Sequence, residues 1–195
     1  MESETAALPP RERILRAADD LFYRQGIRAV GVEAIAEAAG TNKMTLYRHF
    51  PSKDALVAEY LRRKAKRVEA LWERLDTEHP GNPLGQLRAW VEYMAADVVA
   101  RGNRGCAHAN AAVELTEKEH PARRVIEAFK KAQRERLTRL CCDAGLSEPE
   151  LLADELYLVL EGARVSVQSV GSDDLGARMV RIGQAIIASH TPRVQ

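Results

Sequence analysis

Aromatic residues are scarce: two Trp, five Tyr and three Phe in 195 residues. The β-branched Val (15) and Ile (7) are outnumbered by Ala (30) and Leu (20), so the chain is poor in strand formers and rich in helix formers. An all-α fold is expected. Cysteine is nearly absent as well. Cys141 and Cys142 are adjacent and Cys106 is remote, a spacing that fits neither a disulfide framework nor a CxxC metal site. No stretch runs to 18 apolar residues without a charge, which excludes a membrane-spanning helix by length. Residues 1–10 are acidic and lack an apolar core, so a signal peptide is not expected and a cytoplasmic location is. An excess of charge of one sign is missing too. With 29 Lys and Arg against 28 Asp and Glu the net charge is +1, which taken alone speaks against a polyanionic partner.

The near-zero total hides an asymmetry. Residues 1–67 carry 13 Lys and Arg against 9 Asp and Glu, a net +4, while residues 68–195 carry a net −3. Within residues 9–67 the excess reaches +6. A basic segment joined to an acidic one points to an anionic partner at the basic end, either nucleic acid or a membrane surface. With 46% hydrophobic residues, the chain can still bury a substantial core.

Helical spacing recurs along the chain. Ile14, Ala18, Leu21 and Phe22 form one face of a helix that starts after Pro9-Pro10 and stops at Gly26. A short helix over about 32–39 stops at Gly40, and another over 41–50 is broken by Pro51, the outline of a helix-turn-helix. Ser52 is placed to cap a long fourth helix that reaches His79-Pro80-Gly81. Further helices follow from Leu84, from Cys106, around Val125–Cys141, over 151–170 and over 173–189, about nine in all. Ser147 with Glu150 reads as a capping box for the eighth. That helix is apolar on more than one face. Surplus apolar residues on the last two helices, namely Leu160, Val167, Leu175, Met179, Ile182 and Ile186, are expected to form a subunit interface.

Residues 41–50 carry the chemistry. Leu46 and Phe50 can face inward with Ile35 and Phe22, which turns Thr41, Lys43, Met44, Thr45, Arg48 and His49 outward. Lys43 can donate to guanine O6 or N7, Thr45 can bond a base or touch a thymine methyl, and Met44 offers apolar contact. Tyr47 and His49 can donate to phosphate. Lys53 sits in the first turn of the fourth helix, where an anion is already favoured.

Ile14-x-x-Ala17-Ala18-x-x-Leu21-Phe22-x-x-x-Gly26, Ile35-Ala36-x-x-Ala39-Gly40 and Leu46-Tyr47-x-His49-Phe50-x-x-Lys53-x-x-Leu56 together resemble the N-terminal domain of the TetR (tetracycline repressor-like) family of bacterial regulators. The resemblance covers roughly residues 11–57. It implies a homodimeric, all-helical regulator that binds double-stranded DNA and a small-molecule effector, with repression the commoner outcome. It also places Tyr47, His49 and Lys53 at phosphate-contacting positions and Lys43, Met44 and Thr45 at base-facing ones. One departure stands out: where the family usually has Ser or Thr before the second helix, this chain reads Val30-Gly31-Val32. The expected domains are an arm over 1–10, a DNA-binding domain over 11–56 and a ligand-binding and dimerisation domain over 57–195.

Effector-contacting candidates come from chemistry alone. They are Trp90, Tyr93 and Met94 on the fifth helix, Cys106, Asn110 and Glu114 on the sixth, Phe129 on the seventh, and Tyr157, Glu161 and Arg164 on the eighth. Asn110 and Glu114, four apart, share a helical face. No cofactor and no metal site is expected. Two other readings stand beside the regulator: a helical protein-interaction module, and a small helical enzyme using Cys106, His108 and Glu114. The enzyme is disfavoured because residues two apart diverge around a helix axis.

Overall fold

A computed structural model describes residues 8–100, 104–171 and 173–192, in which nine helices and no strands occur. They are α1 (Pro10–Gln25), α2 (Val32–Ala38), α3 (Lys43–His49), α4 (Lys53–Glu78), α5 (Pro83–Ala100), α6 (Ala107–Glu114), α7 (Pro121–Asp143), α8 (Pro149–Val170) and α9 (Leu175–Ser189). No helix among these residues is long and apolar enough to cross a membrane.

The helix boundaries follow local chemistry. Pro10 opens α1, and Gly26 (φ +91°) closes it by donating its N–H to Phe22 O. Gly31 precedes α2 without a side-chain cap, as expected of a position that has lost its hydroxyl. Gly40 (φ +59°) turns the chain after α2, and Thr41 N–H returns to Ala36 O at 2.9 Å. Asn42 Oδ1 accepts the Thr45 N–H at 2.9 Å and starts α3. Ser52 Oγ accepts the Ala55 N–H at 3.0 Å and starts α4.

The described chain forms two compact units. The first contains α1 to α3 and α4 up to Arg67, together with Ala107–Ala128. The expected boundary at residue 56 therefore falls inside this unit, because Val57, Tyr60 and Leu61 are part of its core. That core is built on Ile14, Ala18, Phe22, Ile35, Leu46, Phe50 and Leu56, and Phe22 meets the Tyr60 ring edge-on at 5.5 Å between centroids. Ala111, Leu115, Ala122 and Ile126 complete it from α6 and the start of α7.

The second unit contains Val68–Cys106 and the described residues from Phe129 onward. Trp72 stacks on Trp90 with centroids 6.2 Å apart, and its Nε1–H donates to Gln133 Oε1 at 2.9 Å. The backbone of α9 comes so close to α5 at Gly183 that an added Cβ would sit 2.6 Å from Val91 Cγ1. The capping box at Ser147 does not form. Pro149 opens α8, Glu148 takes a left-handed conformation (φ 48°), and the Ser147 hydroxyl instead donates to His190 O at 2.9 Å.

Candidate nucleic-acid interface and sensor cluster

Leu46 and Phe50 are buried with Ile35 and Phe22 in the first unit, which fixes the rotation of α3. On its outer side Met44 is 74% and Tyr47 40% exposed, Lys43, Arg48 and His49 are exposed, and Thr41 and Thr45 are half-buried. A seven-residue helix cannot hold itself together in water, so its stability comes from this docked face.

Two of the basic residues are electrostatically conditioned. Lys43 Nζ donates to Glu33 Oε1 at 2.5 Å and lies 6.0 Å from the centre of the Tyr47 ring. That hydrogen bond raises the Lys43 ammonium above its ordinary range and lowers the Glu33 carboxyl. Lys53, half-buried at the start of α4, is shifted down by desolvation, against the pull of the Asp54 and Glu114 carboxylates.

Glu114 falls in the first unit, so the expected ligand-binding segment over 57–195 is not one compact body. With Asn110 it belongs to the first unit, where both line a narrow recess with Phe22, Tyr23, Ile27 and Tyr60. The reason is that Ala111 on α6 and Leu115 just after it are buried in the first core, and this turns the neighbouring face toward α1 and α4. Glu114 Oε2 accepts the Arg28 backbone N–H at 2.9 Å. In the same unit, His120 Nδ1 accepts the Ala122 N–H at 3.1 Å, while Nε2 lies 3.3 Å from Asp54 Oδ1. Cys106 is assigned to the second unit, and His108 and Glu114 to the first.

Other effector candidates do converge, in the second unit. Glu161 accepts from Lys130 Nζ at 2.5 Å and from Arg164 Nη1 at 2.8 Å. Burial pushes the Glu161 carboxyl up, yet Lys130 and Arg164 outweigh it and hold the group below its ordinary value. Lys130 Nζ also lies 5.5 Å from the centre of the Tyr157 ring, and the buried Tyr157 hydroxyl has no hydrogen-bond partner among the described residues. Buried Cys106 is close enough to act electrostatically on both Tyr157 and Arg164. Trp90, Met94 and Phe129 are core residues, and Tyr93 lies under the Arg74 guanidinium at 4.6 Å.

A sequence model described as "Bacterial regulatory proteins, tetR family" matches residues 14–60. The HTH-type transcriptional regulator Rv1255c of Mycobacterium tuberculosis is 42% identical over 57 residues, 29% of this chain and 28% of its own length. The chain thus spans less than a third of that curated relative. Among solved structures, SCO4454, a TetR-family transcriptional regulator from Streptomyces coelicolor, superposes with a TM-score of 0.88 at 26% identity, covering 94% of this chain and 96% of that one. A candidate TetR transcriptional regulator from Streptomyces avermitilis, sav143, is 30% identical with a TM-score of 0.80, covering 94% and 98%. The chain belongs to the TetR family.

The TetR-family match from Ile14 to Tyr60 runs from α1 into the first third of α4 and takes in every DNA-facing candidate from Thr41 to Lys53. Beyond that stretch, sequence reasoning missed Lys130, one of seven basic residues along α7 with nothing in its spacing to single it out. It also missed Glu33, which lies ten positions before Lys43 on another helix. The dimer-face candidates need correction in this TetR-family chain: Leu160, Val167 and Met179 are buried in the second unit's own core and cannot face a partner. Leu175 and Ile186 are half-buried and Ile182 is 48% exposed. The apolar residues left outside on α8 are Leu151, Leu158, Val165 and Val170.

Proposed function

We propose that the chain is a homodimeric transcriptional repressor that binds a near-palindromic operator through α3 and is released by a small-molecule effector. The observation that carries this reading is the outer side of α3. A helix pinned by Leu46 and Phe50 turns Lys43, Met44, Thr45, Tyr47, Arg48 and His49 away from the core, on the more basic part of the chain. Lys43, Met44 and Thr45 read bases, while Tyr47, His49 and Lys53 hold phosphates. Two copies of α3 in a dimer enter successive major grooves about 34–36 Å apart or somewhat more, and this makes the operator a near-palindrome.

The dimer face is the exposed stripe Leu151, Leu158 and Val165, spaced seven apart on α8, with Ile182 on α9. The effector binds beside Tyr157, Glu161, Arg164 and Lys130, where a buried hydroxyl with no partner among the described residues and a shared carboxylate offer polar contacts next to the unit's apolar core. An effector that fits better when the two α3 helices are wrongly spaced lowers DNA affinity, and DNA lowers effector affinity by the same factor. Selection of genomic fragments with the purified full chain tests the reading. Enrichment of a few inverted-repeat sites near promoters is expected, and the absence of any enriched sequence would overturn it.

A further inference from the structure

We propose that Glu33 is a specificity-determining residue of the DNA interface, acting as a positioning residue that withholds the Lys43 ammonium from phosphates and leaves it available to guanine. The proposal rests on the DNA-reading role given to α3. Glu33 lies in the first turn of α2, and its Oε1 takes the Lys43 Nζ at 2.5 Å. Both side chains are more than half exposed, 67% for Glu33 and 52% for Lys43, so the pair stands on the surface rather than being locked in a core. The Tyr47 ring, 6.0 Å from Nζ, limits where the ammonium can swing.

The chemistry separates two kinds of DNA contact. Non-specific binding is driven by cations that displace counterions from phosphates. Lys43 paired with Glu33 is a neutral couple whose carboxylate is repelled by a phosphodiester, so it adds little to that term. Guanine is different. An ammonium carries three donors, and the one given to Glu33 leaves two for the O6 and N7 acceptors of one guanine. The cytosine of the same pair presents its N4 donor in the major groove, where a carboxylate acceptor is tolerated. An unpaired lysine at this position would bind every phosphate within reach, whereas the paired one favours G·C.

The test uses the full chain and its Glu33→Gln and Lys43→Ala variants, with selection from a randomised duplex and titration of the selected and a scrambled duplex across salt. Glu33→Gln is expected to bind the scrambled duplex about two- to five-fold more tightly, the range set by an exposed ion pair. Its salt dependence should steepen by about one charge per half-site. The ratio of selected to scrambled affinity should fall, with loss of G·C enrichment at one position in each half-site, the same position that Lys43→Ala relaxes. An unchanged melting temperature separates this outcome from damage to the fold. Wild-type base preference in Glu33→Gln, or equal weakening on both duplexes, overturns the proposal while the role of α3 stands. A wild-type chain that binds neither duplex overturns the role of α3 and the Glu33 proposal with it.

Discussion

Glu114 and Arg28 are 86 positions apart in the sequence, and the Glu114 carboxylate takes the Arg28 backbone N–H at 2.9 Å. The same carboxylate lies 3.1 Å from where a Cβ on Gly26 would be. A helix far down the chain thus holds the turn between α1 and α2, and that turn aims the helix-turn-helix. Glu114→Ala should cost about 1 kcal/mol of stability, the net worth of one hydrogen bond, with Glu114→Gln milder because it keeps an acceptor. Gly26→Ala should cost about 1–3 kcal/mol, since φ of +91° strains any residue with a Cβ. Urea denaturation of the three variants measures both, and operator affinity should fall for Glu114→Ala although no DNA-facing side chain has changed.

Lys53 opens α4 half-buried, and desolvation lowers its ammonium from the ordinary value. A phosphate at that position would stabilise the ammonium form that burial disfavours. Lys53→Ala should weaken binding to selected and scrambled duplexes alike and reduce the salt slope by about one charge per half-site. Fluorescence anisotropy across a salt series reads both. Loss of discrimination with an unchanged slope would assign Lys53 to base reading instead.

How much of this was legible before the fold was known depended on the range of each interaction. Pro9-Pro10 and Gly26 bracket α1 through backbone chemistry within a few residues, and the Leu46–Phe50 spacing alone orients α3. That Glu114 joins the first unit was not legible, because an eight-residue, alanine-rich helix has little amphipathic pattern to say which core it joins; Ala111 and Leu115 decide that through contacts remote in sequence. On α8, apolar residues surround most of the helix, so periodicity could not separate buried Leu160 and Val167 from exposed Leu158 and Val165. The Ser147–Glu150 pattern failed for a local reason. Proline at 149 sets the helix start, and the Ser147 hydroxyl is taken by His190 O.

Leu158 is 69% exposed in the middle of the Leu151–Leu158–Val165 stripe, whereas Leu160, two residues on, is 2% exposed. Leu158→Lys should therefore weaken self-association with little change in thermal stability. Leu160→Ala should cost about 2–5 kcal/mol of folding stability by leaving a core cavity. Sedimentation velocity over a concentration series, paired with thermal melts, separates the two effects.

Glu161, held below its ordinary 4.5 by Lys130 and Arg164 against the effect of burial, gives a pH signature. A depressed carboxyl contributes stability that is complete above its unfolded value and is lost as pH falls through the folded one. Glu161→Gln should thus be less stable than the wild type by about 2 kcal/mol at neutral pH. The gap should narrow as pH falls below the ordinary carboxyl value of 4.5 and close as it passes through the lowered folded one. Denaturant melts at a series of pH values measure the gap.

In the proposed DNA complex the outer face of α3 meets the bases of the operator. Met44 is 74% exposed on that face, and Val113, on α6 of the same unit, is 80% exposed. A photo-crosslinking amino acid placed at 44 or at 113 in the full chain, irradiated on the selected operator, tests the claim most directly. Adducts are expected from position 44 at major-groove bases in both half-sites and none from position 113. Bound protein that crosslinks from 113 but not from 44 would contradict it.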